Sequence, residues 1–145
     1  RRSFRRADAL CAVSRFVGET TRAVLGLAGR HIEVIPNPVD TREFPALAAP
    51  GAAGVRDIAF VGSLCDKKGV AQLLAAMPHV LAEVPSARLT LYGRDTVLPD
   101  GGSYRAWVER DLAPAVAARV HFAGAVPRAS LPSRLASAAV AVFPS

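Results

Sequence analysis

An α/β fold with a doubly wound parallel sheet is the class this sequence predicts, and three observations predict it. Residues 57–78, DIAFVGSLCDKKGVAQLLAAMP, read as strand, tight loop and helix: the unbroken apolar run 58–61 marks a strand covered on both faces, and a helical period follows. Four strand candidates after residue 54 alternate with helical segments, which is the pattern of a parallel sheet. The apolar fraction of 51% against 21% charged residues supplies the side chains that doubly covered strands consume.

Taken in order, residues 8–13 form a short strand candidate and Ser14 is placed to cap the helix that follows. Phe16, Thr20, Val24 and Leu27 share one face of that helix, and Gly29 is its expected end. Residues 31–35 alternate Ile32 and Val34 against His31 and Glu33, so a β-α-β unit is complete by Ile35. Pro36-Asn37-Pro38 continues neither strand nor helix, and residues 46–54 are rich in Ala, Pro and Gly without any period. A domain boundary is therefore expected at 44–54, dividing the chain into residues 1–44 and 45–145.

In the second domain the strand 58–61 ends at Gly62, and Val70, Leu73, Leu74, Met77 and Leu81 form the inner face of the next helix. Pro78 removes a hydrogen bond inside that helix and predicts a kink or break. Strand 88–92 ends at Gly93. A helix over 104–118 follows, with Trp107, Val108, Leu112 and Val116 inward, then a very short strand 120–122 closed by Gly124. A short helix with Leu131 and Leu135 precedes the apolar strand 138–143. In the usual 3-2-1-4 order, the first and last of these strands are neighbours at the switch in winding direction, where ligands bind. The last strand is then an uncovered apolar edge. With an opening Arg in place of Met, this reads as a piece of a longer protein.

The loop 62–69 holds Lys67 and Lys68, and every other cation in the chain is an arginine. Ammonium groups at a helix N-terminus suit a phosphate, while a solvated basic turn is the plainer alternative. No GxGxxG, Walker A, GxSxG, HExxH or paired acidic motif is present. His31, His79 and His121 show no shared ligand spacing, so no metal and no cofactor is expected, and Asp95 and Asp100 read as solvated loop acids. Cys11 and Cys65 read as buried small hydrophobes. The net charge of +6 is concentrated before residue 31, yet no aromatics interleave with those arginines. That excludes a nucleic-acid reading and leaves a peripheral contact with the inner face of a membrane. No apolar run reaches the length of a membrane span, and no signal peptide precedes the first helix, which points to the cytoplasm.

Five segments in order resemble the GT-B glycosyltransferases of family 4, the glycosyl transferases group 1 type. ADALCAVSRFV resembles a strand and helix late in that family's first domain, and VIPNPVDTREF resembles its VIPNGVDxxxF. FVGSLCDKKG resembles FVGRLxxxKG, VHFAGAVP resembles VxFxGxV, and SAAVAVFPS resembles AADVFVLPS. The resemblance implies a Rossmann-like GT-B pair of domains and a retaining, hexosyltransferase-type transfer from a nucleotide-diphosphate sugar to a lipid, polysaccharide or small-molecule acceptor. It makes Lys68 the catalytic and donor-binding lysine, with Gly62, Ser63, Lys67, Gly93 and Val126 around the donor. Ser63 stands where the family carries a phosphate-binding arginine, Pro38 replaces the glycine of NGVD, and Ala139 replaces an aspartate. The family's acidic loop would follow Ser145 and most of its acceptor domain would precede Arg1, so the piece itself is expected to bind donor without turnover. A non-catalytic Rossmann-like module for a phosphorylated ligand or a protein partner is the alternative.

Overall fold

The structure, a computed structural model, describes residues 2–44 and 56–144. The chain divides into two compact units, Arg1–Thr41 and Arg42–Ser145. The unpatterned stretch 46–54 lies outside the described residues.

In the first unit, α1 (Arg2–Arg6) precedes β1 (Cys11–Ala12), α2 (Arg15–Leu25) and β2 (Glu33–Val34). The two strands pair in parallel, Cys11 with Glu33 and Ala12 with Val34. Ser14 caps α2 as expected, its Oγ accepting from the Val17 N–H at 3.2 Å. The helix ends earlier than Gly29. Gly26 takes a left-handed conformation (φ 63°), and the Leu27 N–H donates to the Arg22 carbonyl, which satisfies the last turn.

The inner face of α2 is also not the expected one. Gly18 is the buried position of the helix, and a Cβ built there would meet Ala12 and Ile32 at ordinary van der Waals distance, 3.5 Å. The helix therefore settles on the strands through its smallest residue, which turns Phe16 and Val24 to the outside, 76% and 63% exposed. Leu27 and Ile32 complete the small core. Cys11 is exposed, against expectation, because the strand alternation sends Ala12 inward instead.

The second unit carries β3 (Asp57–Val61), α3 (Val70–Glu83), β4 (Arg88–Tyr92), α4 (Tyr104–Arg110), α5 (Pro114–Ala117), β5 (Val120–Gly124), α6 (Leu131–Ala136) and β6 (Val140–Ala141). All the pairings are parallel and the strand order is β5-β4-β3-β6, the 3-2-1-4 arrangement read from the sequence. Ile58 pairs with Leu89 on one side and Val140 on the other, so β3 is the central strand. Leu89 and Leu91 of β4 are completely buried, and burying a leucine contributes roughly 1.5–3 kcal/mol. They pack with Phe60 and with Val70, Leu73, Leu74 and Met77, the predicted inner face of α3.

Several elements depart from expectation. Helix α3 runs through Pro78 without a break. The helix expected over 104–118 is two, because Pro114 forces the residue before it out of helical conformation, and Ala113 sits at φ −59°, ψ 142°. In the first of the two, Tyr104 and Val108 turn inward at a spacing of four, leaving Trp107 38% exposed, its ring tilted 52° to that of Tyr104 with centres 5.4 Å apart. Strand β5 extends to Gly124, while β6 shrinks to two residues whose flanking N–H groups, of Ala139 and Val142, donate to the Asp57 and Ala59 carbonyls. Val140 remains half exposed at this edge.

Candidate functional site

Three turns leave the carboxyl ends of β3, β4 and β5 side by side, and they enclose a cleft of about 300 Å³. Gly62, Ser63, Gly93 and Val126 line it, together with Tyr92 and Arg94. Four of the six residues singled out from the sequence are thus brought to one place. Lys68 stands at the edge: its Cγ is 3.9 Å from where a Cβ on Gly62 would be. Lys67 is exposed beside it and does not line the cleft.

The expected crevice between β3 and β6 is different in detail. Gly69 is buried at φ 69°, and a Cβ on it would lie 2.6 Å from the Pro144 Cβ, so the chain after β6 packs directly against the entry to α3. The open space lies on the other side of β3, over β4 and β5.

The Lys67-Lys68 turn is a one-turn 3-10 helix, Asp66–Lys68, running straight into α3. Gly69 offers no side-chain cap, and the first turn of α3 presents N–H groups that have no intrahelical partner. The Tyr104 hydroxyl takes one of them, the Ala71 N–H, while it donates to Asp66, and Lys67 and Lys68 are exposed on the turn that leads in.

The closeness of the β3 and β4 turns follows from glycine chemistry. A Cβ on Gly93 would fall 1.7 Å from the Gly62 carbonyl oxygen, a distance no side chain tolerates. The Gly62 N–H donates to the Tyr92 carbonyl at 2.9 Å and the Gly93 N–H to the Gly124 carbonyl at 2.8 Å, so the three turns form one backbone-bonded floor.

A second set of bonds, which the sequence reading missed, straps the lysine turn to the segment after β4. The Leu64 N–H donates to the Arg94 carbonyl at 3.0 Å, the Thr96 hydroxyl to the Leu64 carbonyl at 2.5 Å, and the Tyr104 hydroxyl to Asp66 Oδ1 at 2.7 Å. Partners 30 to 38 positions apart leave no local signal. Burial, then the bond to Asp66 and its charge, push the Tyr104 phenol well above its ordinary value, so it stays a donor. Tyr104→Phe removes the bond to the Asp66 carboxylate and the acceptor of the Ala71 N–H, and we expect a loss of about 1.5–3 kcal/mol. In a domain of about 100 residues that is a fall in Tm of roughly 6–24 °C, which a thermal melt reads directly.

Asp95, weighed above as a loop acid, is structural. Its carboxylate accepts from Ser103 Oγ (2.6 Å) and from the N–H groups of Arg105 (2.8 Å) and Thr96 (2.9 Å). Slight burial pushes its carboxyl upward, but those bonds and the Arg105 charge outweigh it and hold the group below its usual value. Beside the cleft, the Arg134 guanidinium lies over the Tyr92 ring, 5.3 Å from its centre.

An α/β unit with parallel strands and glycine turns at their carboxyl ends defines a Rossmann-like class. The chain belongs to the glycosyl transferases group 1 family, whose model matches residues 55–145, and the model for glycosyltransferase family 4 matches residues 1–43. The parallel sheets flanked by helices are those of a GT-B glycosyltransferase. Over 92 residues the chain is 29% identical to the glycogen synthases of two Mycobacterium tuberculosis strains, CDC 1551 / Oshkosh and ATCC 25618 / H37Rv, an alignment covering 63% of this chain. The match spans 22% of the length of each relative. Among the described residues, no helix is long and apolar enough to cross a membrane.

Proposed function

We propose that this chain forms the donor side of a retaining glycosyltransferase, which moves a hexose from a nucleotide-diphosphate sugar to an acceptor. The observation that carries this reading is the cleft: Gly62, Ser63, Gly93 and Val126 around one space, with the Lys68 stem against Gly62. Bare glycine backbone lets a diphosphate approach closely. The base would lie against the turn at Val126, and the phosphates would face Lys68 and the entry to α3.

The chemistry follows from charge. As the bond between the anomeric carbon and the phosphate oxygen breaks, negative charge builds on the departing nucleoside diphosphate. A fixed ammonium and oriented N–H groups favour that charge over the ground state, which lowers the barrier. Lys68 takes this part, with Lys67 adding to the local potential. The named relatives make glucan extension the first acceptor reaction to assay.

The test is a thermal melt of the protein with UDP, GDP and ADP and with their monophosphates. We expect one diphosphate to raise Tm clearly more than its own monophosphate does, which also identifies the base. Equal, negligible shifts with all six would overturn the donor reading. A diphosphate shift in a full-length protein that transfers no sugar would favour the non-catalytic module instead.

A further inference from the structure

We propose that Arg94 is a second diphosphate-binding cation, reaching the phosphates from the β4 turn while Lys68 reaches them from the β3 side. The inference rests on the nucleotide-sugar reading above. Among the described residues that line the cleft, Arg94 is the one that carries a charge, and no carboxylate accompanies it there. Lys68 stands only at the rim. A diphosphate carries more negative charge than one ammonium neutralises, so the cleft as built calls for a cation on its wall.

The placement of Arg94 is not incidental to the fold. Its carbonyl accepts from the Leu64 N–H, which fixes its backbone to the same turn that leads to Lys68. The neighbouring acid that could otherwise claim the guanidinium, Asp95, is already engaged by Ser103, Thr96 and Arg105. The side chain is exposed, so its charge comes to the cleft without a burial penalty in the empty protein. Ser63 of the β3 turn lines the same cleft, and a planar guanidinium, unlike an ammonium, can grip two phosphate oxygens at once.

The experiment measures dissociation constants of the full-length protein for UDP, GDP, ADP, their monophosphates and inorganic pyrophosphate, in wild type, Arg94→Ala, Arg94→Lys and Lys68→Ala. Arg94→Ala is expected to weaken the preferred diphosphate about 10- to 100-fold, with pyrophosphate following it. The monophosphate should weaken by less than about 3-fold, so the preference for diphosphate collapses, and Arg94→Lys should recover part of the loss. Wild-type affinity in Arg94→Ala, with the diphosphate weakened in Lys68→Ala, overturns the role of Arg94 and leaves the donor site standing. If wild type prefers none of the diphosphates, both readings fall. Should Arg94→Ala melt early, Arg94→Gln, which keeps the length and hydrogen-bonding capacity without charge, gives the same comparison.

Discussion

Gly93→Ala is expected to lower Tm by more than about 8 °C, the largest stability loss we expect from a single methyl group in this chain. The added Cβ would sit 1.7 Å from the Gly62 carbonyl oxygen and 2.7 Å from its carbon, which are backbone atoms and cannot rotate away. One turn must move, and either movement strains the bond from Gly62 to Tyr92 or the one from Gly93 to Gly124. Overpacking costs about 1–3 kcal/mol and an unmet backbone bond about as much again, so the sum is roughly 2–6 kcal/mol. At about 4 °C or more per kcal/mol for a domain of about 100 residues, the Tm shift follows. A variant that melts with the wild type would mean that the β3 and β4 turns do not touch as described.

Lys68→Ala should leave the fold almost untouched and reduce donor-dependent transfer by the full-length protein about 10²- to 10³-fold, the loss typical of removing one electrostatic contact to a transition state. The side chain is exposed on a one-turn helix, and its removal empties no core. The decisive comparison is kcat against Tm in the same preparation. An unchanged Tm with collapsed kcat places the ammonium in the chemistry. Near-wild-type turnover removes Lys68 from the mechanism, and Lys67 then becomes the lysine to replace.

The strands at the centre of the second unit were legible from their apolar positions. The run 58–61 buries Ala59 and Phe60, residues 88–92 bury Leu89 and Leu91 at alternate positions, and the buried face of α3 follows a single period. The order of the strands is the usual one for a doubly wound sheet. What escaped depends on contacts that sequence spacing does not encode. The inner face of α2 is set by Gly18, whose contribution is the absence of a side chain. The break before Pro114 follows from the constraint a proline puts on the residue before it, which the apolar period through Val116 does not register. At the site, the glycines and Lys68 could be proposed from their place after a strand. Arg94 could not, since it enters the cleft through the pairing of Leu64 with the β4 turn.

The strap that joins Leu64 and Asp66 to Arg94, Thr96 and Tyr104 has a consequence for the thermodynamics of recognition. Loops around phosphate sites often close only when the ligand arrives, and ordering them then subtracts from affinity. Here the two turns are bonded to each other by the protein's own groups, so they fluctuate as one cooperative unit and not separately. The conformational entropy of arranging the cleft is spent during folding. Under the donor-site proposal, an incoming diphosphate would meet a preorganised surface and would have only the Lys68 and Arg94 side chains left to immobilise.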